Sequence, residues 1–114
     1  MTLLFILKIM AAIGTVLTGL VSLIWPRAVF GFTGLNAPGP RGITEIRAVL
    51  GGVFIGLGIA PFLLKTPETY QMLGIMYLVV GGVRLVSMVA DKSIIQSNII
   101  SLFVEIIFGF ILVL

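Results

Sequence analysis

Eight side chains in this sequence could do chemistry in an apolar setting: Glu45, Arg47, Tyr77, Arg84, Asp91, Asn98, Ser101 and Glu105. Three carboxylates and two guanidiniums can pair, carry a proton or meet a cation. The phenol, amide and hydroxyl can complete their hydrogen bonds. The sequence has no cysteine and no histidine. That excludes dithiol redox chemistry, cysteine nucleophiles, and thiolate or imidazole ligation of zinc or haem. It also removes the side chain best suited to proton shuttling near neutral pH, so any proton handling falls to the carboxylates. No nucleophile–base pair, metal-ligand set or cofactor loop appears. No catalytic, metal-binding or cofactor-binding residue is assigned, no cofactor is implied, and the chain is not expected to be an enzyme.

The elements that must position these groups follow from composition. Of 114 residues, 60% are hydrophobic and 10% charged, with a mean hydropathy of +1.30. A soluble domain this small buries only about two-thirds of its surface and could not hide so much apolar area. Lipid is the solvent that accommodates it. A bilayer span takes about 20 mostly apolar residues, and the chain has room for four, at about 2–25, 43–64, 70–90 and 93–114. The expected fold is an all-α integral membrane protein, an antiparallel bundle of four transmembrane helices forming one domain over residues 1–114. Residues 26–42 form an interfacial connecting loop, with Pro38, Gly39 and Pro40 as breakers. The first span resembles a signal peptide, but its apolar run is too long, Lys8 sits inside it, and no small-residue cleavage site follows. The net charge of +3 reads as membrane topology, not as a nucleic-acid footprint.

At about 100° per residue, span 1 gathers Lys8, Ala11, Ala12, Thr15, Thr18, Gly19 and Ser22 on one side. This is the small, weakly polar face that membrane helices turn toward each other. Most of span 2 falls in Gly42–Pro61, an apolar run that holds five glycines and a charged mouth. Glu45, Gly52 and Gly56 share one face, and Arg47, Gly51 and Gly58 lie nearly opposite. Gly51, Gly52, Gly56 and Gly58 are therefore read as helix-packing glycines, with Gly52-x-x-x-Gly56 fitting the small-xxx-small rule. Two close-packing faces make span 2 the expected centre of the bundle. Span 3 aligns Tyr77, Gly81, Arg84, Met88 and Asp91. Span 4 aligns Asn98, Ser101, Glu105 and Gly109.

Depth then selects partners. Counted from the turn between spans 3 and 4, Arg84 lies about 10 Å in and Glu105 about 18–20 Å in. Side chains lean toward the N-terminus of their own helix. In antiparallel spans Arg84 leans deeper and Glu105 shallower, so the two are expected to pair. Asn98, Ser101 and Tyr77 are at hand for the remaining donors and acceptors. Arg47 lies at the depth of Asp91, while Glu45 has Arg41 one turn before it or Lys92 across the bundle. A carboxylate at mid-span costs about 3 kcal/mol, against roughly 0.3–0.6 kcal/mol returned by each large apolar residue, so Glu105 does not forbid span 4.

The run GITEIRAVLGGVFIGLG resembles the signature of an uncharacterised family of small bacterial four-helix membrane proteins, domain of unknown function 4345. Members carry a similar N-E-I-R-A-x-x-G-G run in span 2, a G-R-L-like run in span 3 and a glutamate in span 4. The matching positions here are Glu45, Arg47, Ala48, Gly51 and Gly52, then Gly82, Arg84 and Leu85 with Val83 inserted, then Glu105. Thr44 stands where the family carries asparagine. In broad appearance the chain is DoxX-like, similar to a group of four-helix membrane proteins some of which accompany redox enzymes. The resemblance implies a fold and a membrane location and no activity.

Two functional readings follow from the residues. In the first, the charges are polar glue that fixes helix register, in a non-catalytic accessory, scaffold or hydrophobic-ligand-binding protein. Its partners would be the lipid bilayer, a further copy or another membrane protein, and a lipid or quinone-like ligand; no nucleic acid is implied. In the second, Glu105 serves a small homo-oligomeric proton- or cation-coupled transporter, the default for an intramembrane carboxylate. Either places the chain as a multi-pass protein of the cell membrane, by resemblance a bacterial inner membrane.

Overall fold

The computed structural model describes residues 2–114, and every regular element in them is helical. They are α1 (Leu3–Ile24), α2 (Ala28–Thr33), α3 (Pro40–Leu64), α4 (Pro67–Ala90) and α5 (Gln96–Val113). All but α2 are long and apolar enough to cross a membrane. The fold class is the expected one, an all-α helical bundle.

Helix ends are set by local chemistry, which shifts three starts from their expected places. α3 and α4 open with a proline in their first turn, Pro40 and Pro67, after extended caps Gly39 and Thr66. A proline there gives up an N–H that has no helical partner anyway, and its fixed φ suits the helix. The starts therefore fall at 40 and 67, and not at 43 and 70. Glu68 in the first turn of α4 faces the positive end of the helix dipole. α5 begins three residues later than the expected 93, because Ile95 is extended. Ser93 is drawn back by a bond from its N–H to the Met88 carbonyl, 3.0 Å. The stretch 26–42 holds α2, closed by Gly34 at φ +75°, where only glycine is unstrained.

Within α3, Ile46–Val53 is π-helical. Its i→i+5 bonds make a wider turn than the 3.6 residues of an α-helix. A wheel drawn at 100° per residue therefore loses phase across this segment.

The chain forms two compact units. The first joins residues 66–114 to the start of α1 as far as Ala11. Here α4 packs along α5, with Leu73 and Leu112 fully buried. The backbones come close at two glycines. A methyl added at Gly74 would lie 2.9 Å from the Gly109 carbonyl oxygen, and one added at Gly109 would lie 3.3 Å from that of Gly74. Phe5 meets Tyr70 edge-on, with ring centroids 6.0 Å apart.

The second unit is Ala12–Lys65. The expected small face of α1 is buried at Ala12, Thr15, Gly19 and Ser22, while Thr18 is exposed and donates back to the Gly14 carbonyl. Against it lie Gly51 and Gly58 of α3. A methyl on Gly58 would stand 2.8 Å from the Ala12 carbonyl oxygen, and one on Gly19 would stand 2.7 Å from that of Gly51. Gly52 and Gly56, read from the sequence as packing glycines, are exposed with nothing near them. The contact of α3 with α1 thus runs through Gly51 and Gly58, which already share one face of the wheel, and not through Gly52-x-x-x-Gly56.

Candidate functional site: a buried arginine–glutamate network

The buried face of α4 carries Tyr77, Gly81 and Met88, with Arg84 half-buried among them. These positions recur three and four residues apart, so they form one stripe. The facing stripe of α5 is Glu105, Gly109 and Leu112. Gly81 faces Glu105 across the seam. A methyl there would lie 3.4 Å from the Glu105 Cβ, already full van der Waals contact.

Across this seam the Arg84 Nε–H donates to both Glu105 carboxylate oxygens, to Oε1 and, at 3.1 Å, to Oε2. Arg84 Nη1 donates to Asn98 Oδ1 at 3.0 Å, and Asn98 Nδ2 donates to the Ser93 carbonyl at 2.9 Å. One network therefore ties the middle of α4 to α5 and to the turn between them. The two charged partners differ in exposure. The Glu105 side chain is 6% exposed and that of Arg84 is 32% exposed. An ion pair shut away from water gains from hydrogen bonds that satisfy its remaining lone pairs and protons, and Glu105 receives its bonds from the one guanidinium.

The other expected members lie elsewhere. Tyr77 packs edge-on against Phe108, with centroids 5.5 Å apart and rings at 83°. Ser101 is half-buried on the α5 stripe and makes no side-chain hydrogen bond among the described residues. Glu45 takes the first of its two expected partners. It pairs with Arg41 at 2.7 Å, one turn back on the same helix, with side chains 54% and 79% exposed. Arg47 and Asp91 are both exposed, and neither has an ion pair among the described residues. Both sit near helix ends, where a long side chain or a carboxylate reaches the headgroup level without a partner.

Sequence reasoning missed the outer side of Arg84. Its guanidinium lines an open groove of about 380 Å³ with Val79, Val80, Val83, Ser87, Ser93 and Asn98. Ser87 stands three residues from Arg84, hence on its face. That spacing was the available signal. Among the described residues no three histidine, cysteine, aspartate or glutamate side chains converge as metal ligands. The arrangement can clamp two helices, and it can offer hydrogen-bond donors from a fixed position to something in the groove.

No curated protein and no solved structure matches the chain. Residues 3–114 match the family described as Domain of unknown function (DUF4345), and with nearly its whole length covered the chain belongs to that family.

Proposed function

We propose that the protein is a non-catalytic, multi-pass accessory or scaffold protein of a cell membrane, in which the Arg84–Glu105–Asn98 network is structural. The observation that carries this reading is the engagement of Glu105. The carboxylate is buried, and both of its oxygens accept from Arg84 on the facing helix. A group so held fixes the register of two helices that cannot find each other through the hydrophobic effect. A transport reading would want that carboxylate reachable by water. An enzymatic reading would want a nucleophile with a base beside it, and the chain has neither cysteine nor histidine to serve. The exposed large apolar side chains supply the surface on which lipid, a further copy or another membrane protein would sit.

The test is a charge exchange. Glu105→Gln is expected to lower stability by about 2–3 kcal/mol, less than the 3–5 kcal/mol of a fully buried pair because Arg84 keeps part of its exposure. Arg84→Glu/Glu105→Arg should recover most of what each single reversal loses, read as thermal melting in detergent. A Glu105→Gln protein that melts with the parent, yet loses a proton or cation flux in vesicles, would overturn the structural reading.

A further inference from the structure

We infer that the α4–α5 groove beside Arg84 is a binding site for an anionic amphiphile: a membrane lipid whose phosphoryl oxygens meet Arg84, Ser87 and Ser93 while one hydrocarbon chain lies along Val83, Val80 and Val79. It goes beyond the scaffold reading, because it concerns the side of Arg84 that the network leaves open.

Three observations carry it. The first is donor capacity. A guanidinium has five N–H donors. Nε–H goes to Glu105 and one Nη1–H to Asn98, which leaves three, on a side chain that is one-third exposed and lines the groove. Glu105 approaches from the buried side and does not line the groove. It anchors the guanidinium from behind and sets which edge faces outward.

The second is the behaviour of the serines. In helices a hydroxyl usually returns to the carbonyl four residues back. Thr18, Ser22, Thr33 and Thr44 all do so here. Ser87, like Ser97 and Ser101 of α5, does not, and neither Ser87 nor Ser93 has a side-chain hydrogen bond among the described residues. Both line the groove. Asn98 gives its carbonyl oxygen to Arg84 and keeps one spare N–H. What remains open in the groove is the outer edge of a guanidinium, an amide N–H and two hydroxyls that can donate, and no carboxylate lines it. The matching head is rich in acceptors and negatively charged. Beyond the mouth stand exposed Asp91 and Lys92 with opposite charges, so the turn itself adds no net field.

The third is polarity along the helix. Ser93 is at the turn, Ser87 about one helical turn into α4, then Arg84, and then Val83, Val80 and Val79. Ser87 to Val79 is about 12 Å, close to the half-thickness of a bilayer core of about 30 Å. Donors stand at the headgroup end and branched aliphatics run inward, which is the orientation of a lipid in its own leaflet. The volume is near the lower end of ligand pockets, roughly 300–1,000 Å³, which suits one chain.

The test uses the full chain purified in detergent and four probes: hexadecyl phosphate, hexadecanol, hexadecyltrimethylammonium and inorganic phosphate. Binding is read by equilibrium retention and by the shift in melting temperature. Hexadecyl phosphate should be retained and should raise the melting temperature, while the other three should do neither at the same concentration. Val83→Trp fills the groove while leaving both members of the ion pair in place, and should weaken retention tenfold or more. Ser87→Ala/Ser93→Ala removes two donors to a charged head and should weaken it about tenfold. Equal retention of the phosphate and ammonium amphiphiles would overturn the assignment. So would undiminished binding by both variants. Inorganic phosphate binding as tightly as hexadecyl phosphate would also overturn it, by showing a free-anion site with no role for the tail. Neither variant alters Glu105, so these outcomes are independent of the charge-exchange test.

Discussion

Arg84 does two jobs because a guanidinium is a planar fork with more donors than one carboxylate can accept. Its Nε faces Glu105, Nη1 reaches Asn98, and the remaining edge faces the groove. Asn98 is the residue that joins this fork to the turn. Asn98→Ala is expected to cost about 1 kcal/mol in melting experiments, the worth of an ordinary hydrogen bond. Combined with Glu105→Gln its cost should be less than additive, since both mutations act on one guanidinium. Strict additivity would mean that Asn98 serves only the Ser93 carbonyl. At this scale the pair Arg84–Glu105 is legible in the amino-acid sequence, because helical rise gives depth and side-chain lean gives direction. Asn98 follows from its stripe. Ser101 shares that stripe without a side-chain hydrogen bond among the described residues, because a shared face gives direction and not a partner within reach.

At the scale of elements, α3 separates what periodicity can and cannot deliver. Its existence, its apolar length and its small residues are plain in the sequence. Its π-helical centre is not, since no residue in Ile46–Val53 is peculiar to wider turns. Periodicity offers two small faces, Gly51 with Gly58 and Gly52 with Gly56, and only the structure says that the first one packs. Gly58→Ala should destabilise by about 1–3 kcal/mol, because the new methyl meets the backbone of α1 at Ala12 and Val16, where yielding means moving a helix. Gly56→Ala should be neutral or slightly stabilising, since the methyl meets nothing and alanine is the better helix former. Thermal melting of the two single variants checks the seam. Loss of stability in Gly56→Ala comparable to that in Gly58→Ala would contradict it. The proline-set starts of α3 and α4 are also within reach of the sequence. Pro40 and Pro67 act as helix openers, although Pro40 reads at first as a breaker.

At the scale of the whole molecule, the exposed side chains state the solvent. Leu63, Val86, Val89 and Phe103 are each more than 60% exposed, and they are typical of the outer faces of their helices. Within the spans, Thr15, Ser22 and Glu105 are buried against neighbouring helices. This inversion is what a bilayer selects. The four spans are legible because insertion depends on summed hydropathy, which needs no knowledge of contacts. What the composition could not supply is the division into two compact units, since that depends on where backbones approach closely.

The bond between Arg84 and Glu105 also bears on how the protein is made. A lone arginine or carboxylate at mid-span costs about 2.5–3.5 kcal/mol to leave at the translocon. α4 emerges from the ribosome first and carries its charge before the counter-charge has been synthesised. The two helices are separated by a short turn, so a second span arrives within a few seconds of the first. The expected outcome is concerted membrane entry of α4 and α5, a hairpin crossing as one nearly neutral body. In a translation-coupled insertion assay, a chain ending after Lys92 should integrate α4 less efficiently than the full chain. Arg84→Leu should abolish the difference. Biogenesis would thereby draw on the same contact that later fixes the register of the folded pair.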